Sequence, residues 1–170
     1  EKDCDTGTLV DLARALRDVI RPAGVPLIIN DRIDVALAVN ADGVHVGQSD
    51  MPWRTARERM GPDAIVGVSV ETMEQADELD GCDVDYLGVS PVFATPTKTD
   101  TGRPWGLDGL RSLRARTSHQ LVAIGGISAA NAGEVMQAGA DGVAVVSAIC
   151  AAADPRAAAG ALRRVVGTGL

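Results

Sequence analysis

Asn40-Ala41-Asp42-Gly43-Val44-His45-Val46 and Ala138-Gly139-Ala140-Asp141-Gly142-Val143-Ala144-Val145-Val146 carry the same phrase twice, and Cys82-Asp83-Val84-Asp85-Tyr86 echoes it more loosely. Each copy runs from the end of a helical pattern, through an Asp, into a short apolar stretch. A strand covered on both faces reads as such a stretch, because neither row of side chains meets water. Working outward from these copies, apolar runs rich in Val, Ile and Leu recur at residues 25–29, 43–46, 64–70, 84–89, 120–124 and 142–146. Amphipathic helical patterns occupy residues 8–20, 33–40, 53–60, 73–79, 107–116, 129–138 and 155–166. Strand and helix alternate along the whole chain.

That alternation predicts an α/β fold with a parallel sheet, either a doubly wound sheet or a (β/α) barrel. A helix-to-strand phrase that repeats is what a repeated βα unit produces, so the spacing favours the TIM-like (β/α)8 barrel. Punctuation falls at the unit ends: Gly24, Gly61-Pro62 and Gly139 as helix stops, Ser128 and Asp154 as helix starts. No linker or change of composition interrupts residues 1–170, which read as a single barrel domain. The longest segment without periodicity, residues 91–106, is rich in Thr, Lys and Pro, and a loop of that length in a small domain usually serves function.

Composition removes several function classes. With 16 Lys and Arg against 23 Asp and Glu, the net charge of -7 repels nucleic acid and anionic membrane surfaces. Aromatic content of 2% leaves few platforms for stacking on single-stranded nucleic acid. No apolar stretch is long enough to span a bilayer, and no charged leader followed by an apolar core opens the chain. Cys4, Cys82 and Cys150 are odd in number and lack the spacing of a zinc site or a disulfide framework. The expectation is a soluble cytoplasmic protein with reduced, structural cysteines, working on small molecules; self-association into a homo-oligomer is left open.

In barrels of this kind the reacting groups sit where the strands end. Those positions hold Asn30 and Asp31, then Gly47, Gln48 and Asp50, then Ser69, then Ser90 and the segment Thr95-Pro96-Thr97-Lys98, then Gly125-Gly126, then Val146-Ser147. Asp31 and Asp50 follow consecutive strands, and a pair of carboxylates beside substrate phosphate suits Mg²⁺. Either Asp could instead cap the helix that follows it. Gly125-Gly126 and Val146-Ser147 stand after the last two strands, the habitual phosphate site of the fold, although two glycines also serve a plain tight turn. Thr95, Thr97 and Lys98 offer hydroxyls and an ammonium to an anion, with Pro96 stiffening the segment. His45 lies inside an apolar strand and reads as a satisfied core or rim residue; His119 reads as exposed. No nucleophile elbow, dinucleotide fingerprint or Walker loop is present. What remains is metal-assisted chemistry on phosphorylated small molecules.

Taken in order, Pro26-Leu-Ile-Ile-Asn-Asp-Arg32, Gly43-Val-His-Val-Gly-Gln48, Gly67-Val-Ser69, Tyr86-Leu-Gly-Val-Ser-Pro-Val-Phe-Ala-Thr-Pro-Thr-Lys98, Ala123-Ile-Gly-Gly-Ile127 and Gly142-Val-Ala-Val-Val-Ser147 resemble the thiamine-phosphate synthase family. The match covers essentially the whole chain. The resemblance implies a TIM-like barrel that joins 4-amino-5-hydroxymethyl-2-methylpyrimidine diphosphate to thiazole phosphate and releases pyrophosphate with Mg²⁺. It implies Asp31 and Asp50 as the Mg²⁺ ligands, and Lys2, Asn30, Ser69 and Lys98 as contacts to the pyrimidine diphosphate, with Ser69 and Lys98 the catalytic pair. It implies Thr95, Pro96, Thr97, Gly126, Val146 and Ser147 as contacts to the thiazole phosphate. The family carries a strand and helix, then a second strand ending in Gln-x-Arg-Glu-Lys, before the point matching Glu1; only Glu1-Lys2 of that phrase is present. The expectation is therefore a barrel lacking its first strand-helix unit and most of its second strand. A thiazole tautomerase of the same fold and a non-catalytic paralogue that binds thiamine precursors are the rival expectations.

Overall fold

The structure, a computed structural model, describes residues 4–94 and 102–167. It comprises two compact units, one of Glu1–Val68 with Asp83–Asp85 and one of Ser69–Cys82 with Tyr86–Leu170.

The first unit opens with α1 (Thr6–Ile20), begun by Asp5, whose carboxylate accepts the Thr8 N–H at 3.1 Å. A 3-10 turn (Arg21–Ala23) leads into β1 (Ile28–Asn30), followed by α2 (Ile33–Val39), β2 (Gly43–Val46), α3 (Trp53–Met60) and β3 (Ile65–Val70). Strands β1, β2 and β3 pair in parallel, with Asn30 opposite His45 and Val46 opposite Val68. Ala13 of α1 and Val35, Ala36 and Val39 of α2 close over Leu27 and Ile29. Full burial of each Val or Leu here contributes roughly 1.5–3 kcal/mol.

The second unit takes the last two residues of β3, then α4 (Met73–Asp77), β4 (Tyr86–Val89), α5 (Gly106–Arg114), β5 (Gln120–Ile124), α6 (Ala132–Gln137), β6 (Gly142–Ala144), the short α7 (Ser147–Cys150) and α8 (Pro155–Val166). Strands β4, β5 and β6 are again parallel, with Val89 opposite Ala123 and Ile124 opposite Ala144. Leu87, Leu110, Leu113 and Leu121 are fully buried. Asp154 caps α8 through the Ala157 N–H at 2.9 Å, as its place before Pro155 leads one to expect.

The repeated phrase has one structural job. The Asp42 carboxylate accepts the Leu27 N–H at 2.7 Å, and the Asp42 N–H donates to the Leu27 carbonyl at 3.0 Å. Asp85 grips Val66 the same way at 2.7 and 2.8 Å, and Asp141 grips Leu121 at 2.8 and 2.9 Å. Each Asp, the residue just before a strand, is thus held against the backbone of Leu27, Val66 or Leu121. Arginines secure two of the clamps: Arg57 pairs with Asp85 at 2.6 Å and Arg114 with Asp141 at 3.0 Å.

All six expected strands form, β2 and β5 with the expected bounds and the other four with shifted ends. β1 starts at Ile28 because Pro26 has no N–H and Asp42 takes the Leu27 groups. β4 starts at Tyr86 because Asp85 belongs to its clamp. The helix expected from Ser128 begins at Ala132 instead, since the Asn131 and Ala132 N–H groups both donate to the Ser128 carbonyl and close a separate turn first. No described helix is long and apolar enough to cross a membrane. The three cysteines are unpaired, Cys4 and Cys82 half-buried and Cys150 exposed.

Candidate active site

In the first unit the strand ends carry Asn30, Asp31 and Asp50. Asn30 is the last residue of β1 and is exposed. Asp31 follows in the left-handed region, at φ 64°, where a non-glycine side chain is uncommon. Two hydrogen bonds hold it there: its N–H donates to the His45 carbonyl at 2.8 Å, and the Arg32 N–H reaches back to the Asn30 carbonyl at 2.7 Å. Strain of this sort persists only where the surroundings impose it, and it concentrates at functional sites.

The capping alternative fails for both carboxylates. The residue at the N-cap of α2 is Arg32 and that of α3 is Pro52, and neither helix has a side-chain cap. Asp50 instead folds back on its own turn. Its Oδ2 accepts the Gly47 N–H at 2.7 Å, and its N–H donates to the Gly47 carbonyl at 3.2 Å. Two half-buried carboxylates therefore stand at the same end of neighbouring paired strands, neither at the N-cap of the helix that follows.

His45 sits on β2 behind them. Burial pushes its pKa down from the ordinary value of 6.5, and the nearby charge of Asp50 partly opposes that shift. A half-buried place on the strand accords with the core or rim histidine expected from the sequence. His119 differs from expectation: it is half-buried, with its Nε2 2.9 Å from the Leu79 carbonyl.

In the second unit, Ser69 lies half-buried within β3, and Gly125 and Gly126 follow β5. Both glycines have positive φ, 103° and 64°. A Cβ on Gly125 would come within 2.7 Å of Pro91, and one on Gly126 within 2.8 Å of Phe93. The Phe93 N–H donates to the Gly125 carbonyl at 3.1 Å, so residues 91–94 lie directly along this turn. The glycines thus have a structural duty, and they bring residues 91–94 against the end of β5. Asn131 supports the same turn by donating to the Gly126 carbonyl at 2.9 Å.

Val146 and Ser147 are exposed at the start of α7, a single helical turn that the apolar run through residues 142–146 conceals. The first N–H groups of any helix lack internal acceptors, which is the chemistry that receives phosphate. Lys2, Thr95, Pro96, Thr97 and Lys98 lie outside the described residues. A cavity of about 340 Å³ lined by Arg17, Arg21, Val25, Asn40 and Asp42 opens where β1 and β2 begin, at the opposite end from Asp31.

Among the described residues no group of three or more His, Cys, Asp or Glu gathers as a metal cluster. A Mg²⁺ site asks for less: one or two carboxylates, water and substrate phosphate. Asp31 and Asp50 are hard oxygen donors of that kind, and the Gly47 contact occupies only one oxygen of Asp50. The residues present fit the ion.

A thiamine-phosphate synthase of Albidiferax ferrireducens is 58% identical over 166 residues, covering 98% of this chain and 76% of the relative. Another from Chloroflexus aurantiacus is 55% identical over the same shares. The solved structure of a thiamine phosphate pyrophosphorylase from Pyrococcus furiosus superposes with a TM-score of 0.92 at 41% identity, covering all of this chain and 81% of that one. The α/β, TIM-like fold expected from the repeated βα rhythm is therefore the fold of this chain. The pattern of the family described as thiamine monophosphate synthase matches residues 1–149, and the chain belongs to that family.

Proposed function

We propose that this chain is a transferase that joins 4-amino-5-hydroxymethyl-2-methylpyrimidine diphosphate to thiazole phosphate, giving thiamine phosphate and pyrophosphate. Family membership and relatives more than half identical support the reaction class. The observation that carries the site is that Asp31 and Asp50, at the ends of paired neighbouring strands, both leave the following helix uncapped.

The reaction breaks the C–O bond between the pyrimidine methylene and the diphosphate, with the electron pair leaving on pyrophosphate. The thiazole nitrogen then supplies the pair for the new C–N bond. No strong base is required. Asp31 and Asp50 would hold Mg²⁺, which when bound would neutralise charge on the departing group. Asn30, beside Asp31, presents an amide that can donate to one ring or phosphate atom and accept from another. Ser69 adds a hydroxyl, and Lys98 and Lys2 add positive charge to the leaving group, in the roles that the family motifs give them. Stabilisation of developing charge by groups already in place is usually the largest contribution to such a rate. Thr95, Pro96, Thr97, Gly126, Val146 and Ser147 take the thiazole phosphate, and the exposed turn at Val146 and Ser147 is accessible to it.

Incubating the protein with both substrates and Mg²⁺ tests the proposal, with thiamine phosphate and pyrophosphate measured together. Equal amounts of both products that disappear on chelation are expected. Isomerised thiazole phosphate without pyrophosphate, or binding of both substrates without turnover, would overturn it.

A further inference from the structure

Gly47 follows β2, and its backbone lies outside the left-handed region. Conformation therefore does not require glycine there. Space does. A Cβ on Gly47 would stand 2.9 Å from Oδ2 of Asp50 and 3.9 Å from its Cγ. That oxygen already accepts the Gly47 N–H at 2.7 Å, while the Asp50 N–H donates to the Gly47 carbonyl at 3.2 Å. The carboxylate rests so close to the main chain that any side chain at position 47 would displace it. The displaced group would be the end of a short flexible side chain, so the backbone itself could stay where it is.

We propose that Gly47 is a positioning residue for Asp50: the bare Cα lets the carboxylate settle on the Gly47 N–H, which fixes one oxygen and leaves the other to a divalent cation. The inference rests on the metal role given to Asp50 above and adds how that role is prepared before any ion arrives. A carboxylate held by an outer hydrogen bond pays less ordering cost on metal binding, and loss of such a partner typically weakens affinity about 10–100-fold.

The test measures Mn²⁺ binding to the protein in the presence of inorganic pyrophosphate, by the electron paramagnetic resonance of free Mn²⁺, with a thermal melt of each variant. The expected result is Mn²⁺ binding about 10–100-fold weaker in Gly47→Ala than in wild type. Gly142→Ala, where a Cβ would meet nothing within 4 Å, should bind as wild type does. In an Asp50→Ala background Gly47→Ala should cost no melting temperature, since the group it displaces is gone. Should Gly47→Ala alone fail to fold while the double variant folds, the Cβ acts through Asp50, which supports the proposal. Binding by Gly47→Ala within about twofold of wild type, beside wild-type binding that Asp50→Ala abolishes, would overturn the positioning role alone. A stability loss that persists in the Asp50→Ala background, or a double variant that does not fold, would also overturn it. Wild-type protein that binds no Mn²⁺ would remove the metal role of Asp50 and the inference with it.

Discussion

Asp85 and Val66 hold each other twice, through the Val66 N–H on the Asp85 carboxylate at 2.7 Å and the Asp85 N–H on the Val66 carbonyl at 2.8 Å. Arg57, with its side chain 11% exposed, adds an ion pair to the same carboxylate and donates to the carbonyls of Gly61, Pro62 and Ala64. Asp85→Ala removes the acceptor from a strand N–H and leaves a mostly buried guanidinium short of one partner. The expected cost is about 1.5–3 kcal/mol, the range for hydrogen bonds to charged groups. For a chain of this size that lowers the melting temperature by roughly 3–12 °C. Asp42→Ala should cost less, because no arginine pairs with Asp42 among the described residues and Arg17 donates instead to the Val39 carbonyl at 2.7 Å. Thermal melts of the two variants check the order; a larger loss in Asp42→Ala would contradict the account.

Asp31 calls for a different substitution from the one its chemistry alone suggests. At φ 64° an Ala carries a backbone cost of about 1–2 kcal/mol that Asn, tolerant of the left-handed region, largely avoids. Asp31→Asn removes the negative charge with the backbone kept, and Asp50→Asn does the same for its turn. Both should lower kcat by about 100-fold or more with the melting temperature nearly unchanged. Steady-state rates at several Mg²⁺ concentrations, alongside melts, separate this from misfolding. Activity close to wild type in both variants would end the metal assignment.

Much of this was legible in the sequence because burial writes itself into composition. The runs at residues 43–46 and 120–124 coincide with β2 and β5, since strands covered on both faces must be apolar throughout. Termini were less legible because they are set by partners distant in sequence. Nothing near Val25 announces that Asp42 will take the groups of Leu27, fifteen residues away. α7 escaped notice because a four-residue helix is too short for its period to show, and its Ile149 and Cys150 continue an apolar run. Asp31 and Asp50 could be named but their caps could not be decided. Asp is a favoured N-cap, and only the structure reveals that Arg32 and Pro52 stand at those positions instead. The spacing Gly47-Gln-Ser-Asp50 did carry a signal: an Asp side chain can fold back onto the backbone three residues before it.

The depressed pKa of His45 gives stability a pH dependence of definite sign. Burial is the main cause and favours the neutral imidazole in the folded chain. The unfolded chain titrates near 6.5 and so binds the proton first as pH falls. The contribution of His45 is complete above about pH 6.5 and is lost progressively as pH drops toward the lower folded value. Replacing His45 with Gln, which does not titrate, should flatten this part of the curve. Melting temperatures of wild type and His45→Gln from about pH 8 to 5 check it. A difference between the two that stays constant across that range would show that His45 does not titrate differently on folding.

Gly126 separates a structural role from a binding one. Its φ of 64° disfavours any side chain, and a Cβ would come within 2.8 Å of Phe93 and 3.0 Å of the Ala94 carbonyl. Gly126→Ala must therefore strain the turn or push residues 93–94 away from it, at a cost of about 1–3 kcal/mol. Thr95, the first residue of the segment proposed to hold the thiazole phosphate, follows Ala94 directly in the sequence. KM for thiazole phosphate should rise by about tenfold and by more than KM for the pyrimidine diphosphate, because of the groups assigned to that second substrate only Lys98 lies in this segment while Lys2, Asn30 and Ser69 lie elsewhere in the chain. A loss confined to melting temperature, with both KM values unchanged, would leave the glycine with its turn alone. Equal rises in both would mean that the 91–94 segment serves the two substrates together.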